Sequence, residues 1–289
     1  MAVTNALTFD IEEYFHAHNL EGVVSRGDWE GLPGRAAEHT RLILRLLREH
    51  GVRATFFVLG WVAERHPDVV REIVGEGHEV GSHGHEHRPL CRQRPGEFLR
   101  DLDRSCEAIR SALVGSDAPR CLLHGYRAPS FSITRETTWA LDLLRQRGFR
   151  YDSSIFPISF HDRYGFPGAE RHAHRIQEEL WEFPISTLRI LGKNWPVAGG
   201  GYLRLMPYGW TRWAIRRINL RGEPAVIYLH PWEFDPKQPV VRGLPALARF
   251  RHYVNLARTE SRLRRLLRDF RFAPLSEVYA RELGGTVCG

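Results

Sequence analysis

The chain has no run of about 18 apolar residues, the length at which a helix crosses a bilayer, so it carries no membrane span. Its first stretch, MAVTNALTFDIEEYF, has neither the basic n-region nor the apolar h-region of a secretory signal peptide, and a cytoplasmic protein is the expectation. Cysteine is scarce: Cys91, Cys106, Cys121 and Cys288 stand far apart, with no CxxC pair. That argues against a cysteine zinc site or a disulfide framework and predicts free thiols. There is no repeat of fixed period and no low-complexity linker. One domain over residues 1–289 is expected, with an elaborated C-terminal third from about residue 155.

What is present suits a soluble globular protein. The 289 residues, 43% hydrophobic and 26% charged, suffice for a sizeable core. A net charge of +7 and a pI near 9.5 permit an anionic partner such as nucleic acid, anionic lipid or acidic glycan. The excess lies late. RLMPYGWTRWAIRRINLR, residues 204–221, holds Arg204, Arg212, Arg216, Arg217 and Arg221 and no acid, and residues 249–271 are also arginine-rich. Two readings stay open for the first segment. It is a helix with a solvated basic face, or it docks on anionic headgroups with Trp210, Trp213 and Ile218 among its arginines.

Short apolar runs alternate with amphipathic ones. Strands are expected at 5–11, 53–60, 78–83, 122–129, 149–154 and 225–230. Helices are expected at 36–51, 67–77, 95–115 and 134–149 (the last N-capped by Thr134), with a long basic helix at about 244–269. Residues 155–207 are less regular, rich in Pro, Gly and aromatics. Repeated strand–helix units predict an α/β fold with a mainly parallel sheet and right-handed crossovers. Barrel and open sheet both satisfy the pattern.

Four polar clusters fall at the ends of those strands, where α/β enzymes carry their chemistry. TFDIEE brings Asp10 and Glu12 to one face of an extended segment, beside Glu13. EVGSHGHEH holds His83 and His87 in an HxxxH spacing, with His85 and Glu86 between them. GYRAPSF supplies Tyr126, Arg127 and Pro129, and YLHPWE supplies His230 and Trp232. Two histidines and a carboxylate form an open metal site. A second carboxylate takes a proton from water, a histidine protonates a leaving amine, and an arginine holds the base. Together these describe metal-assisted amide hydrolysis. Taken singly, each piece also has a plain reading: a chance HxxxH, a turn aspartate, a surface arginine, a core histidine. Trp181, Trp195, Tyr202 and Trp232 read either as core or as stacking platforms for sugar rings, with Trp232 the best placed.

TFDIE, SHGHEH, YRAPSFS and YLHPWE resemble the motifs of the polysaccharide deacetylases of carbohydrate esterase family 4, the nodulation-type deacetylase homology domain, from about residue 5 to 275. GYRAPSFSIT, YDSSIFP, WEFPIS, GGGYLR and HPWEFDP are similar to the subfamily encoded near exosortase and exopolysaccharide genes. The resemblance implies a distorted (β/α) barrel, with fewer than eight strands and the active site at the C-terminal rim of the strands. It implies Asp10 as catalytic base, Arg127 as its orienting arginine and His230 as general acid, with Asp152 orienting His230. It makes His83 and His87 metal ligands. Ile11 stands where the family's metal-binding acid usually follows the base, so the acid ligand becomes Glu12. Tyr126, Pro129 and Trp232 fall to substrate binding. Zn²⁺ is the expected metal, from two imidazoles and a carboxylate; Co²⁺, Ni²⁺ and Fe²⁺ suit the same donors.

The expected activity is N-deacetylation of N-acetylhexosamine units in an exopolysaccharide or its lipid-linked precursor. An allantoinase-like amidohydrolase acting on a small non-sugar amide and an inactive sugar-binding module are the alternatives. The expected partners are an N-acetylated saccharide and the anionic inner face of the cytoplasmic membrane, with no nucleic acid. The sequence does not set the oligomeric state.

Overall fold

The computed structural model describes residues 2–115, 123–159, 165–197 and 199–285. The strands in chain order are β1 (Thr4–Ile11), β2 (Thr55–Val58), β3 (Glu79–Ser82), β4 (Gly125–Tyr126), β5 (Tyr151–Asp152), β6 (His174–Gln177), β7 (Leu180–Glu182), β8 (Thr187–Ile190), β9 (Lys193–Pro196), β10 (Val226–Leu229) and β11 (Arg271–Ala273). The main sheet runs β10-β1-β2-β3-β4-β5-β7-β6, parallel except for the last pair, with β11 added beside the start of β1. Seven parallel strands thus form a curved row, and among the described residues no pair closes it into a full ring. The fold is the expected α/β arrangement of mostly parallel strands with helices.

Strand alternation divides β1 between two environments. Leu7, Phe9 and Ile11 face outward and join one cluster with Ile43, Leu47, Phe56, Val69 and Ile109 from the flanking segments. Ala6 points inward, in a second cluster with Phe57, Tyr151, Phe183, Val226 and Tyr228. Both faces are covered, as parallel sheets require. Thr8 and Asp10 share the inward parity of Ala6 and are likewise buried. The same alternation therefore carries Asp10 to the inner end of the barrel.

The helices Ala36–Glu49, Pro67–Gly75 and Pro95–Ala112 lie where the apolar spacing predicts them, the last two opening on a proline whose missing N–H costs nothing in the first turn. Two expectations need correction. The helix after Thr134 begins only at Trp139, because the Thr137 hydroxyl takes the Thr134 N–H and a turn precedes it. The long basic helix is two, Ala246–Tyr253 and Thr259–Asp269, broken at Asn255, whose φ of 53° leaves the helical region. Residues 155–207 are more regular than expected. They contain the hairpin β6–β7, which extends the main sheet, and the separate hairpin β8–β9.

Cys91 and Cys106 are free thiols, and Cys121 and Cys288 lie outside the described residues. No helix among the described residues is long and apolar enough to cross a membrane.

Candidate active site

Asp10 ends the inward row of β1 and is 1% exposed. Its Oδ1 accepts a hydrogen bond from Arg127 Nη1 at 2.7 Å. The guanidinium makes three more hydrogen bonds: Nη1 also donates to Thr8 Oγ1 at 2.7 Å, Nε to the Ser153 carbonyl at 2.9 Å and Nη2 to Ser153 Oγ at 2.8 Å. It lies over the Phe57 ring, 4.2 Å from the centroid. An arginine so fixed leaves Asp10 one orientation, with Oδ2 free to face the cavity.

Glu12 follows on the same strand end and is also buried. His83 comes directly after β3 and His87 from the turn beyond it. The ligand atoms of Glu12, His83 and His87 all lie within 4.8 Å of one another. His87 Nε2 is 2.6 Å and His83 Nε2 3.9 Å from Glu12 Oε2. Yet Glu12 Oε2 has no hydrogen-bond donor, so the short approach of His87 is not aligned as a hydrogen bond. Lone-pair atoms converging on one point without bonding each other are what a cation requires. The His83 ring is further fixed by Nδ1, 2.8 Å from the Arg127 carbonyl, which turns Nε2 to the cavity. Burial pushes the His83 imidazole down to about 4, so it is a neutral donor at physiological pH. Burial pushes the Glu12 carboxyl up, but the imidazoles of His87, His230 and His83 more than offset this and hold it well below the usual carboxylate range. These residues fit a divalent metal. His87 reaches the site with a φ of 49°, a left-handed conformation uncommon outside glycine.

His230, directly after β10, brings Nε2 to 3.8 Å from Asp10 Oδ2 and 3.9 Å from Glu12 Oε1. β10 pairs with β1, which is why a residue so far along the chain arrives beside Asp10. On its other side Nδ1 lies 3.1 Å from Glu233 Oε2. Burial alone lowers the His230 imidazole, but Glu233, with Glu12 and Asp10 behind it, lifts it to about 9.

Several expected residues stand elsewhere. Asp152 does not touch His230. It accepts from Ser154 Oγ at 2.5 Å and lies in register with Glu182 on the neighbouring strand β7. Burial, and Asp152 beside it, drive the Glu182 carboxyl far above its usual range, so this pair is a buried support behind Arg127. Trp232 does line the cavity, its ring stacked by His230 at 5.2 Å and by His252 at 4.6 Å, so it presents an edge and not an open face. Its Nε1 donates to Glu12 Oε1 at 2.9 Å, so it steadies that carboxylate. Tyr126 is 1% exposed, edge-on to Phe98 and Phe149 in the core. Pro129 is buried and does not line the cavity; its neighbours Ser130 and Phe131 do. His85 turns away toward Gly60 and Glu64, and Glu86 pairs with Arg26.

The cavity over these groups has a volume of about 380 Å³, in the range of small-ligand sites. Asp10, Glu12, His83, His87 and His230 form its floor. His18 and Asn19, Ser130 and Phe131, Tyr202, and Arg251 add lining from four other parts of the chain. Of the aromatics expected in a groove, Tyr202 and Trp232 are there. Trp181 lines a separate surface depression and Trp195 is part of the β8–β9 hairpin. Glu233 and Arg204 were not singled out by their sequence. Glu233 had a signal: proline and glutamate one and three residues after His230 mark a helical turn that folds the carboxylate back.

A buried acid–arginine pair, a histidine–carboxylate cluster able to hold a metal and a single histidine opposite meet at the strand ends of a mostly parallel α/β fold, the layout of a hydrolase site. The chain belongs to the polysaccharide deacetylase family, which matches residues 5–151; a second family, described as a domain of unknown function (DUF3473), matches residues 153–280. It is similar to a chitooligosaccharide deacetylase from Bradyrhizobium sp. (strain ANU 289), 39% identical over 87 residues, 30% of this chain and 37% of that protein. A peptidoglycan-N-acetylglucosamine deacetylase from Bacillus cereus is 38% identical over 82 residues, 28% of this chain and 30% of that protein. The matched segment thus spans about a third of these curated relatives. In three dimensions the chain resembles a crystal structure from Mycobacterium smegmatis assigned to the polysaccharide deacetylases, with a TM-score of 0.57 at 22% identity over 99% of this chain and 93% of that one.

Proposed function

We propose that this protein is a metal-dependent N-deacetylase that hydrolyses the acetamide of N-acetylhexosamine units. The observation that carries the reading is the convergence of Glu12, His83 and His87 with the Asp10–Arg127 pair and His230 on one cavity. The inactive sugar-binding module loses weight here, since it has no use for a buried base held by an arginine.

Glu12, His83 and His87 would hold the metal, which when bound supplies Lewis acidity at the cavity floor. Two imidazoles and one carboxylate suit Zn²⁺, and Co²⁺, Ni²⁺ or Fe²⁺ would take the same donors. Asp10 Oδ2 takes a proton from the attacking water, whose oxygen adds to the acetyl carbon. Arg127 keeps that carboxylate aimed. His230 Nε2 then gives its proton to the sugar nitrogen as the C–N bond breaks, releasing acetate and a free amine. The walls from His18 to Arg251 bind and orient the sugar, and Trp232 keeps Glu12 in place.

The acetylated sugar belongs, in this reading, to an exopolysaccharide or its lipid-linked precursor, handled at the inner face of the cytoplasmic membrane. Support comes from the basic helix Tyr208–Asn219, where Trp213 is 42% exposed beside Arg216 and Arg217. Ile218 belongs to the core and Arg212 is paired with Asp269, so a docking face would be narrower than the sequence suggested. The pairing of β10 and β11 with β1 supports reading the chain as a single unit.

The test is acetate release from N-acetylated chitooligosaccharides by the metal-loaded protein, abolished by chelation and restored by metal. Saccharide binding without release would favour a sugar-binding module, and turnover of small cyclic amides alone an allantoinase-like enzyme.

A further inference from the structure

Glu233 is fully buried, yet it belongs to neither the base nor the ligand set. Its Oε2 accepts the backbone N–H of His230 at 3.0 Å and lies 3.1 Å from that residue's Nδ1. Its Oε1 accepts from Arg204 Nε at 2.9 Å. Arg204, 1% exposed, spends its other donors on main-chain carbonyls: Nη1 on His252 at 2.9 Å and Val254 at 2.8 Å, Nη2 on Arg251 at 3.2 Å. Four of the five N–H donors of this arginine are thus engaged. Gly200 closes the arrangement. A Cβ on it would fall 1.6 Å from Glu233 Oε2 and 1.9 Å from Oε1, inside the carboxylate itself. Only glycine lets the chain pass there.

Two buried charges fixed this thoroughly are an expensive way to fill a core, since an apolar pair of like volume does it without desolvation. The expense is explained if the carboxylate acts on His230. A carboxylate facing Nδ1 only accepts, so the ring carries its proton on Nδ1 and Nε2 is the nitrogen that exchanges with the cavity.

We infer that Glu233 is a positioning residue for His230, held by Arg204 and admitted by Gly200, and that it stabilises the imidazolium that protonates the leaving nitrogen. The inference rests on the deacetylase reading for what is protonated. As His230 delivers its Nε2 proton, an N–H bond forms on the sugar nitrogen, the acetyl C–N bond breaks, and the imidazolium becomes the neutral Nδ1–H form, still bonded to Glu233. All four groups lie within residues 153–280. That region therefore supplies the acid half of the site, opposite the base and ligands of residues 5–151.

The experiment joins a spectroscopic and a kinetic readout. Proton NMR of the wild type should contain a downfield Nδ1–H resonance, assigned by its loss in His230→Asn, that disappears in Glu233→Gln. Glu233→Gln should lower kcat on an N-acetylated chitooligosaccharide by about 10²-fold, the lower end for general acid catalysis, with KM within about twofold. The loss should fall below about tenfold on 4-nitrophenyl acetate, whose phenolate leaves without a proton. Equal losses on both substrates, or no loss on the sugar, overturn the proposal. If Glu233→Gln does not fold, the wild-type spectrum decides, and absence of the resonance overturns the contact. A wild type that releases no acetate from the sugar, but keeps the Glu233-dependent resonance and the ester activity, overturns the deacetylase reading and leaves the positioning role standing.

Discussion

Trp232 Nε1 donates to Glu12 Oε1 at 2.9 Å, joining two residues from opposite ends of the chain. The bond leaves Glu12 Oε2 to converge with His87 and His83. Trp232→Phe keeps the stacking between His230 and His252 but removes the donor. Metal affinity should fall by about 10- to 100-fold, the usual effect of losing a group that orients a ligand. Competition against a chromogenic chelator measures it. Unchanged affinity would show that Glu12 holds its place unaided.

His83→Ala and His87→Ala should each yield folded protein that retains almost no divalent metal after dialysis, by elemental analysis. Stoichiometric metal in either variant would mean that other residues build the site.

Asp10→Asn should keep fold and metal content and lower kcat by about 10²–10⁴-fold, the range for a general base. The amide still fits beside Arg127 but takes no proton. Activity close to wild type in a folded variant would remove Asp10 from the mechanism.

Burial holds two structural histidines below their ordinary value, His78 at about 4 and His252 at about 3. Both are neutral in the folded chain, while in the unfolded chain they take protons below about pH 6.5. Stability from these groups is therefore complete above about pH 6.5 and declines as pH falls toward those depressed values. His252→Gln should flatten the acid decline in melting temperature, by about 2–4 °C per kcal/mol recovered. The melts belong in chelator, so that metal loss does not contribute. An identical acid limb in wild type and variant would reject the assignment to His252.

Docking on anionic lipid should appear as salt-sensitive co-sedimentation with vesicles containing phosphatidylglycerol. A variant combining Trp213→Ala, Arg216→Gln and Arg217→Gln should weaken it, at about 1 kcal/mol per arginine removed. Wild-type protein left in the supernatant at low salt would point to a soluble precursor as substrate.

Much of the fold was legible because strand–helix alternation is written in hydrophobic period. The inward parity of β1 likewise put Asp10 and Glu12 at one end of the barrel from spacing alone. What was not legible depends on which strands become neighbours. Asp152 ends a strand, which makes it a plausible partner for His230, but β7 inserts beside β5 and supplies Glu182 instead. Trp232 reads as a sugar platform until His252, from a separate helix, covers its second face. The Gly200–Arg204–Glu233 arrangement needed three dimensions, since a glycine run reveals only that something passes close by.

β1 is made first and sits second in the row, with β10 as its outer neighbour. Thr8 Oγ1 bonds the Ile227 carbonyl at 2.9 Å, across a separation of 219 residues. During synthesis β1 therefore leaves the ribosome with one edge unpaired, and that edge stays bare until most of the chain has followed. An unpaired apolar edge is a template for association between chains, and contacts this distant in sequence form slowly. Truncation before residue 226 would leave the metal-binding residues intact but uncover the strand that carries Asp10. Shortened versions of this protein should fail in the test tube by aggregating, well before any missing side chain limits turnover.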